Sequence, residues 1–266
     1  MSIYIEFAGL PASGKSTLTA ALKRHLLTLS VPVLSRQEAI IQCLRRRDDG
    51  FIKNTLKRFP ARIWWQLTGE QFILQEFITL SSHHLEFISF LSKTLAESNM
   101  PEQLVRSIWN TLVRSFAEMQ LVLEYGLDSE IIIMDEAFSQ RCFTLFGYMG
   151  KKISDELIFC YADLAPISNH LFWIATSPIT CIKRIELRYK NRPSPYELGT
   201  KELLDDFESG DRVLMQLNHA LKGQGKYVHR ISGDDNLKAS VAEVNRLGQG
   251  IWFSSPHDNH QNLDTN

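Results

Sequence analysis

The nine residues 9-GLPASGKST-17 constrain this chain more than any other feature. They follow a β-rich run, 3-IYIEFA-8, and precede a helical pattern from Thr17 to Leu29. Gly9 and Gly14 permit backbone paths that a side chain would block. In a strand–loop–helix setting the loop turns its N–H groups inward, beside the positive end of the helix, and forms a cradle suited to phosphate. The alternative is an accidental match in a glycine turn, which average composition allows in roughly one chain of this length per hundred.

The segment predicts phosphate contacts from Gly9, Ala12, Ser13, Gly14, Lys15, Ser16 and Thr17. Lys15 can reach β- and γ-phosphate oxygens, and the Ser16 hydroxyl can serve Mg²⁺.

Further strand patterns occur at 31-VPVLSR-36, 130-EIIIMDE-136, 171-LFWIATSP-178 and 226-KYVHRIS-232, with helical patterns between them. Residues 40–126 carry apolar side chains at three- and four-residue spacing and no clear strand. The clearest helix there starts at Pro101 and stops at Gly126, with Leu104, Ile108, Leu112, Phe116, Met119 and Leu123 on one stripe. The expected fold is α/β: a three-layer sandwich around a mostly parallel five-stranded sheet, with a long helical insertion between strands 2 and 3. One domain is expected over 1–247, with a polar, disordered tail from Gly248.

In such sheets ligands sit at the carboxyl ends of the strands. Asp135 and Glu136 end the third strand, where one carboxylate can hold Mg²⁺ and its waters while the other takes a proton or orients water. The two divide these roles in either order; a solvated acidic turn is the alternative. The second strand delivers Arg36 and Glu38, of which Glu38 can serve as base or merely begin a helix. Arg184, Arg188 and Arg192 recur every four residues along one helical face within 179–200. Stacked guanidinium groups suit a transferring phosphoryl group, as a mobile lid hinged near Pro193 and Pro195. A solvated basic face, or an RNA contact, is the other reading.

His83 and His84 lack an acidic partner at metal spacing and are taken as structural or surface residues. Trp64, Trp65, Phe72, Phe77, Trp109 and Phe116 are taken as core, and Gly233-Asp234-Asp235 as a turn that can also pass beneath an adenine ring.

In order and spacing these segments resemble the phosphate-loop nucleoside and nucleotide kinases, the group containing thymidylate and deoxynucleoside kinases. The resemblance covers residues 3–247. It implies an ATP-Mg²⁺ donor, phosphates held by Lys15, Mg²⁺ served by Ser16 and Asp135, lid arginines at 184, 188 and 192, and an acceptor pocket under the helices of 40–126. The implied catalytic set is Lys15, Glu38, Asp135, Glu136, Arg184, Arg188 and Arg192. That family places an Arg directly after the acid ending strand 3, whereas here the nearest is Arg141. The acceptor is expected to be a nucleoside or nucleoside monophosphate, with a sugar, an antibiotic or another hydroxyl metabolite as alternatives. A phosphate-loop ATPase or switch, with Glu136 activating water, is the rival activity.

Among 266 residues, 29 are Lys or Arg and 30 are Asp or Glu, so no global basic field exists to hold a nucleic acid. The four cysteines have no CxxC spacing, and no leader or membrane span is evident. The chain reads as cytoplasmic, with a small-molecule partner and with pairing as a homodimer left open.

Overall fold

The computed structural model describes residues 2–47, 73–126, 130–149, 153–190 and 200–254. Two compact units emerge, one formed by Met1–Ser35, Asp128–Ala162 and Ile167–Asn266, the other by Arg36–Leu127 with Asp163–Pro166. The chain passes from the first unit to the second at the carboxyl end of the second strand.

The first unit is built on five strands, β1 (Ile3–Gly9), β2 (Val33–Ser35), β3 (Ile131–Met134), β4 (His170–Ala175) and β5 (Tyr227–Ser232), in the order β2-β3-β1-β4-β5. Every pairing is parallel, so all five carboxyl ends share one edge. β1 is central: Ile3 pairs with Ile131 on one side and Ile5 with His170 on the other. β3 is the unbroken run Ile-Ile-Ile-Met, buried throughout, as a strand covered on both faces requires. β2 is three residues long rather than six, because Arg36 already belongs to the next helix.

Helix α1 (Lys15–Thr28) covers one face with Leu18, Leu22 and Leu26. These pack in a core with Ile5, Phe7, Ile133, Phe172, Ile174 and Val244, within which the Phe7 and Phe172 rings stack at 5.0 Å. Each fully buried aliphatic or aromatic side chain here contributes about 1.5–3 kcal/mol. The last helix of the chain, Leu237–Phe253, lies on this face too, and Asn236 caps it by accepting the Lys238 N–H at 2.9 Å. That helix continues past Gly248, where the polar tail was expected to begin. Ile251 is buried and Trp252 packs on the same core, while a Cβ at Gly248 would run into Leu22. Two apolar contacts among polar neighbours carry the helix six residues beyond the expected end, and residues 255–266 lie outside the described residues.

The opposite face is covered by α6 (Phe138–Phe146) and α9 (Thr200–Gly223). They approach closely because a Cβ at Gly210 would run into the ring of Phe143. Between them in sequence lie a single 3-10 turn at Gly147–Met149, helix α7 (Asp155–Leu164), and helix α8 (Pro178–Tyr189) after β4.

The second unit is helical in its described parts: α2 (Arg36–Arg47), a helical segment over 73–83 (α3), α4 (Leu85–Ala96) and α5 (Glu102–Tyr125). Pro101 is the N-cap of α5, and Gly126 ends it in an extended conformation rather than a left-handed one. Phe116 is fully buried and gathers Phe77, Phe87 and His84 around it, with ring centroids 5.6–6.4 Å away. Phe116 is core here, as expected, with Phe77 and His84 half-buried against it, while Trp64, Trp65 and Phe72 lie outside the described residues. Glu118 is buried between two guanidinium groups, Arg36 at 3.1 Å and Arg114 at 3.0 Å.

No helix among the described residues is long and apolar enough to cross a membrane.

Candidate active site

Between β1 and α1 the chain makes a tight loop whose shape depends on two left-handed residues, Ala12 (φ 60°) and Gly14 (φ 107°). The Ser13 N–H bonds the Leu10 carbonyl at 3.1 Å. At Gly9 the constraint is contact: an added Cβ would stand 2.7 Å from the Ile174 carbonyl oxygen. Gly14 is also the N-cap of α1. It supplies no capping side chain, and the first turn contains no acidic residue, so the helix start keeps its positive field for an outside anion. This is the chemistry of a phosphate cradle, and the loop's glycines and hydroxyls fit a nucleotide's phosphate chain.

Lys15 is folded back over the loop, donating from Nζ to the carbonyls of Gly9 (2.8 Å) and Leu10 (3.0 Å). Desolvation lowers its pKa to about 8, against the opposing pull of Glu136, Cys181 and Asp135. The parallel pairing of β1 with β3 brings the loop that carries the lysine and the acids ending β3 to the same edge of the sheet. Asp135 and Glu136 form the turn after Met134, with Asp135 half-buried and Glu136 exposed. Arg141 is the basic residue that meets Glu136. From α6 its Nη2 donates to the Glu136 carbonyl at 3.1 Å and meets the Glu136 carboxylate at 3.4 Å. The chain thus brings an arginine to the β3 acids from one helical turn away rather than from the next position.

Ser16 and Thr17 are exposed at the start of α1. Among the described residues no group of three or more His, Cys, Asp or Glu converges as a metal cage. A hydroxyl and one carboxylate remain suited to Mg²⁺, which keeps several waters and takes phosphate oxygens as ligands. Glu38 occupies the first turn of α2, half-buried, in the second unit. Arg192, Pro193 and Pro195 lie outside the described residues, and with them the expected hinge.

Arg184 and Arg188 sit on α8 one turn apart, the second exposed. Arg184 does not reach outward: Nη1 donates to the carbonyls of Ser13 (3.1 Å) and Ala12 (3.4 Å), and Nη2 to that of Gly233 (2.7 Å). The Gly233-Asp234-Asp235 turn has a structural task as well, since Asp234 accepts the Ser177 N–H at 2.8 Å at the start of α8.

No protein-family model matches this chain, and no curated protein matches it. Its likeness is to solved structures. Deoxyadenosine kinase from M. mycoides with bound dATP aligns over 92% of this chain and 98% of its own, at 12% identity and a TM-score of 0.48. The same enzyme with bound dCTP aligns over 93% and 100%, at 13% identity and a TM-score of 0.46. Thymidylate kinase from Ehrlichia chaffeensis aligns over 94% and 98%, at 11% identity and a TM-score of 0.43. The phosphate-loop α/β fold of this chain rests on its own sheet order and its own loop.

Three residues that support the site go beyond the sequence reading. The Gly9 N–H is satisfied by Gln140 Oε1 at 3.1 Å, across 131 residues. Thr176 Oγ1 donates to the Ser13 carbonyl at 3.0 Å. Glu6, wholly buried in β1, supports the start of α6 from beneath. Only Glu6 left a trace, as the single charge within an apolar strand.

Proposed function

We propose that this protein is a cytoplasmic phosphotransferase that moves the γ-phosphate of ATP to a small hydroxyl- or phosphate-bearing acceptor, a nucleoside or nucleoside monophosphate first. The supporting observation is the meeting of Lys15, the open start of α1 and the β3 acids at the carboxyl edge of the two central strands. In this reading the loop amides and Lys15 bind and orient the β- and γ-phosphates, and Ser16 and Asp135 hold Mg²⁺. Held there, Mg²⁺ would supply positive charge to the phosphate chain. Arg188 and Arg192 meet charge on the transferring group. One of Glu38, Asp135 and Glu136 accepts the proton released by the acceptor hydroxyl.

The test is transfer of labelled γ-phosphate from ATP-Mg²⁺ to pooled nucleosides, nucleoside monophosphates, sugars and aminoglycosides. A labelled nucleoside or nucleotide is expected, with Lys15→Ala lowering the rate at least about a hundredfold. Transfer undiminished in Lys15→Ala would end the proposal. Labelled inorganic phosphate alone, lost in Glu136→Gln, would establish the hydrolase instead.

A further inference from the structure

Arg184 stands on a helix whose start is pinned. Ser177 caps α8 by accepting from the Thr180 N–H, and Asp234 accepts from both the Ser177 N–H and its hydroxyl. From that fixed base the guanidinium makes three hydrogen bonds, all to main-chain carbonyls: those of Ala12 and Ser13 in the phosphate loop, and that of Gly233 after β5. The Ser13 carbonyl takes a further bond from Thr176 at the end of β4. Gly233 presses on the same point, since a Cβ there would lie 2.9 Å from the Ser13 oxygen. Three separate segments therefore converge on the back of one short stretch of loop.

That stretch lies between the left-handed residues Ala12 and Gly14. A loop of this kind turns N–H groups to one side and carbonyls to the other. Carbonyls covered by protein need donors, and here the donors are Arg184 and Thr176. We propose that Arg184 is a positioning residue for the phosphate cradle: it grips the loop's carbonyls so that the opposite N–H groups stay aimed at a phosphate chain, and it does not meet the transferring phosphoryl group. The exposed Arg188 then carries that contact for α8. This role replaces the direct phosphoryl contact expected of Arg184 from the arginine repeat, and it rests on the phosphate-site reading above.

The experiment compares wild type with Arg184→Ala, Arg184→Lys, Thr176→Val and Lys15→Ala. Calorimetry measures binding of ATP-Mg²⁺ and of inorganic tripolyphosphate, which has no base or sugar, and hydrogen exchange follows the amides of residues 10–17. Arg184→Ala is expected to weaken both ligands by the same factor, about tenfold or more. It is expected to accelerate exchange in the ligand-free loop. Lysine cannot span three carbonyls and recovers only part of the loss. A fall in kcat with ATP binding intact would overturn the proposal, as would weakened ATP beside unchanged tripolyphosphate. Should Arg184→Ala fail to fold, Thr176→Val, which removes the other donor to Ser13, must still accelerate loop exchange, and unchanged exchange there overturns the proposal. Lys15→Ala keeps the two ideas apart: tripolyphosphate binding undiminished in that variant defeats the phosphate-site reading itself.

Discussion

The carboxylate of Glu6, at the middle of the central strand, accepts the main-chain N–H of Ser139 at 2.9 Å. Its other oxygen accepts the Ser168 N–H at 2.8 Å. One buried side chain thereby ties β1 to the first turn of α6 and to the approach to β4. Burial raises its pKa, against the hydrogen bonds from Ser139 and Ser168 and the charge of Lys226. Glu6→Gln keeps one acceptor oxygen and presents an NH₂ to the other N–H, which loses its partner. The expected cost is about 1–3 kcal/mol of stability, read from urea unfolding; a variant as stable as wild type would show the two bonds to be incidental.

In the phosphate-site reading, Lys15 is expected to make the affinity for ATP depend on pH. With its pKa lowered to about 8 it is charged below that pH and neutral above it. Bound phosphates favour the charged form, so binding near pH 8 takes up a fraction of a proton. The affinity falls as pH rises, by up to about tenfold per unit above the shifted pKa. Calorimetry in buffers of different ionisation enthalpy reports the uptake directly, and proton release on binding would contradict it.

Gly233 is irreplaceable on steric grounds. A Cβ there would collide with Thr176 Oγ1 and press on the Ser13 carbonyl. Gly233→Ala is expected to weaken ATP at least about tenfold by displacing the loop. Gly223, where a Cβ meets nothing within 4 Å, is the matched control and tolerates alanine. Equal ATP affinity in the two variants would refute the packing argument.

Acid should unfold the sheet unit through its histidines. Burial lowers the pKa of His170 and of His229, and His229 adds to the effect on His170. Near His229, Glu243 acts the other way, while Arg246 and Lys222 reinforce the lowering. Each group is neutral in the fold and protonates more readily in the unfolded chain. Its contribution is therefore complete above about pH 6.5 and is lost as pH falls through and below that value. The urea midpoint should drop across that range, and less so in His229→Phe; parallel curves for the two proteins would exclude His229 as a cause.

The phosphate loop, the β3 acids and the alternation of strands and helices were legible because each is a local pattern: fixed spacing, a short apolar run, a charge at its end. What stayed hidden is what depends on distant partners. Nothing near Gln140 announces that it serves Gly9, and nothing in the arginine repeat reveals that Arg184 turns inward to carbonyls 171 and 172 residues earlier. Period-four spacing states only which face of a helix a residue occupies. The end of the last helix was misjudged for a related reason, since Ile251 and Trp252 are recognisable as core only once Leu22 is beside them.

The order of the strands also bears on how the chain comes off the ribosome. β1 is made first, yet its neighbours are β3 and β4, more than 120 residues later in the case of Ile3 and Ile131. Its apolar side chains therefore wait for partners while the whole helical unit is synthesised. Pairing at such separation closes slowly, and an unpaired apolar strand is an invitation to aggregation. For Ile3–Gly9 the hazard is greatest during synthesis and ends when β3 arrives.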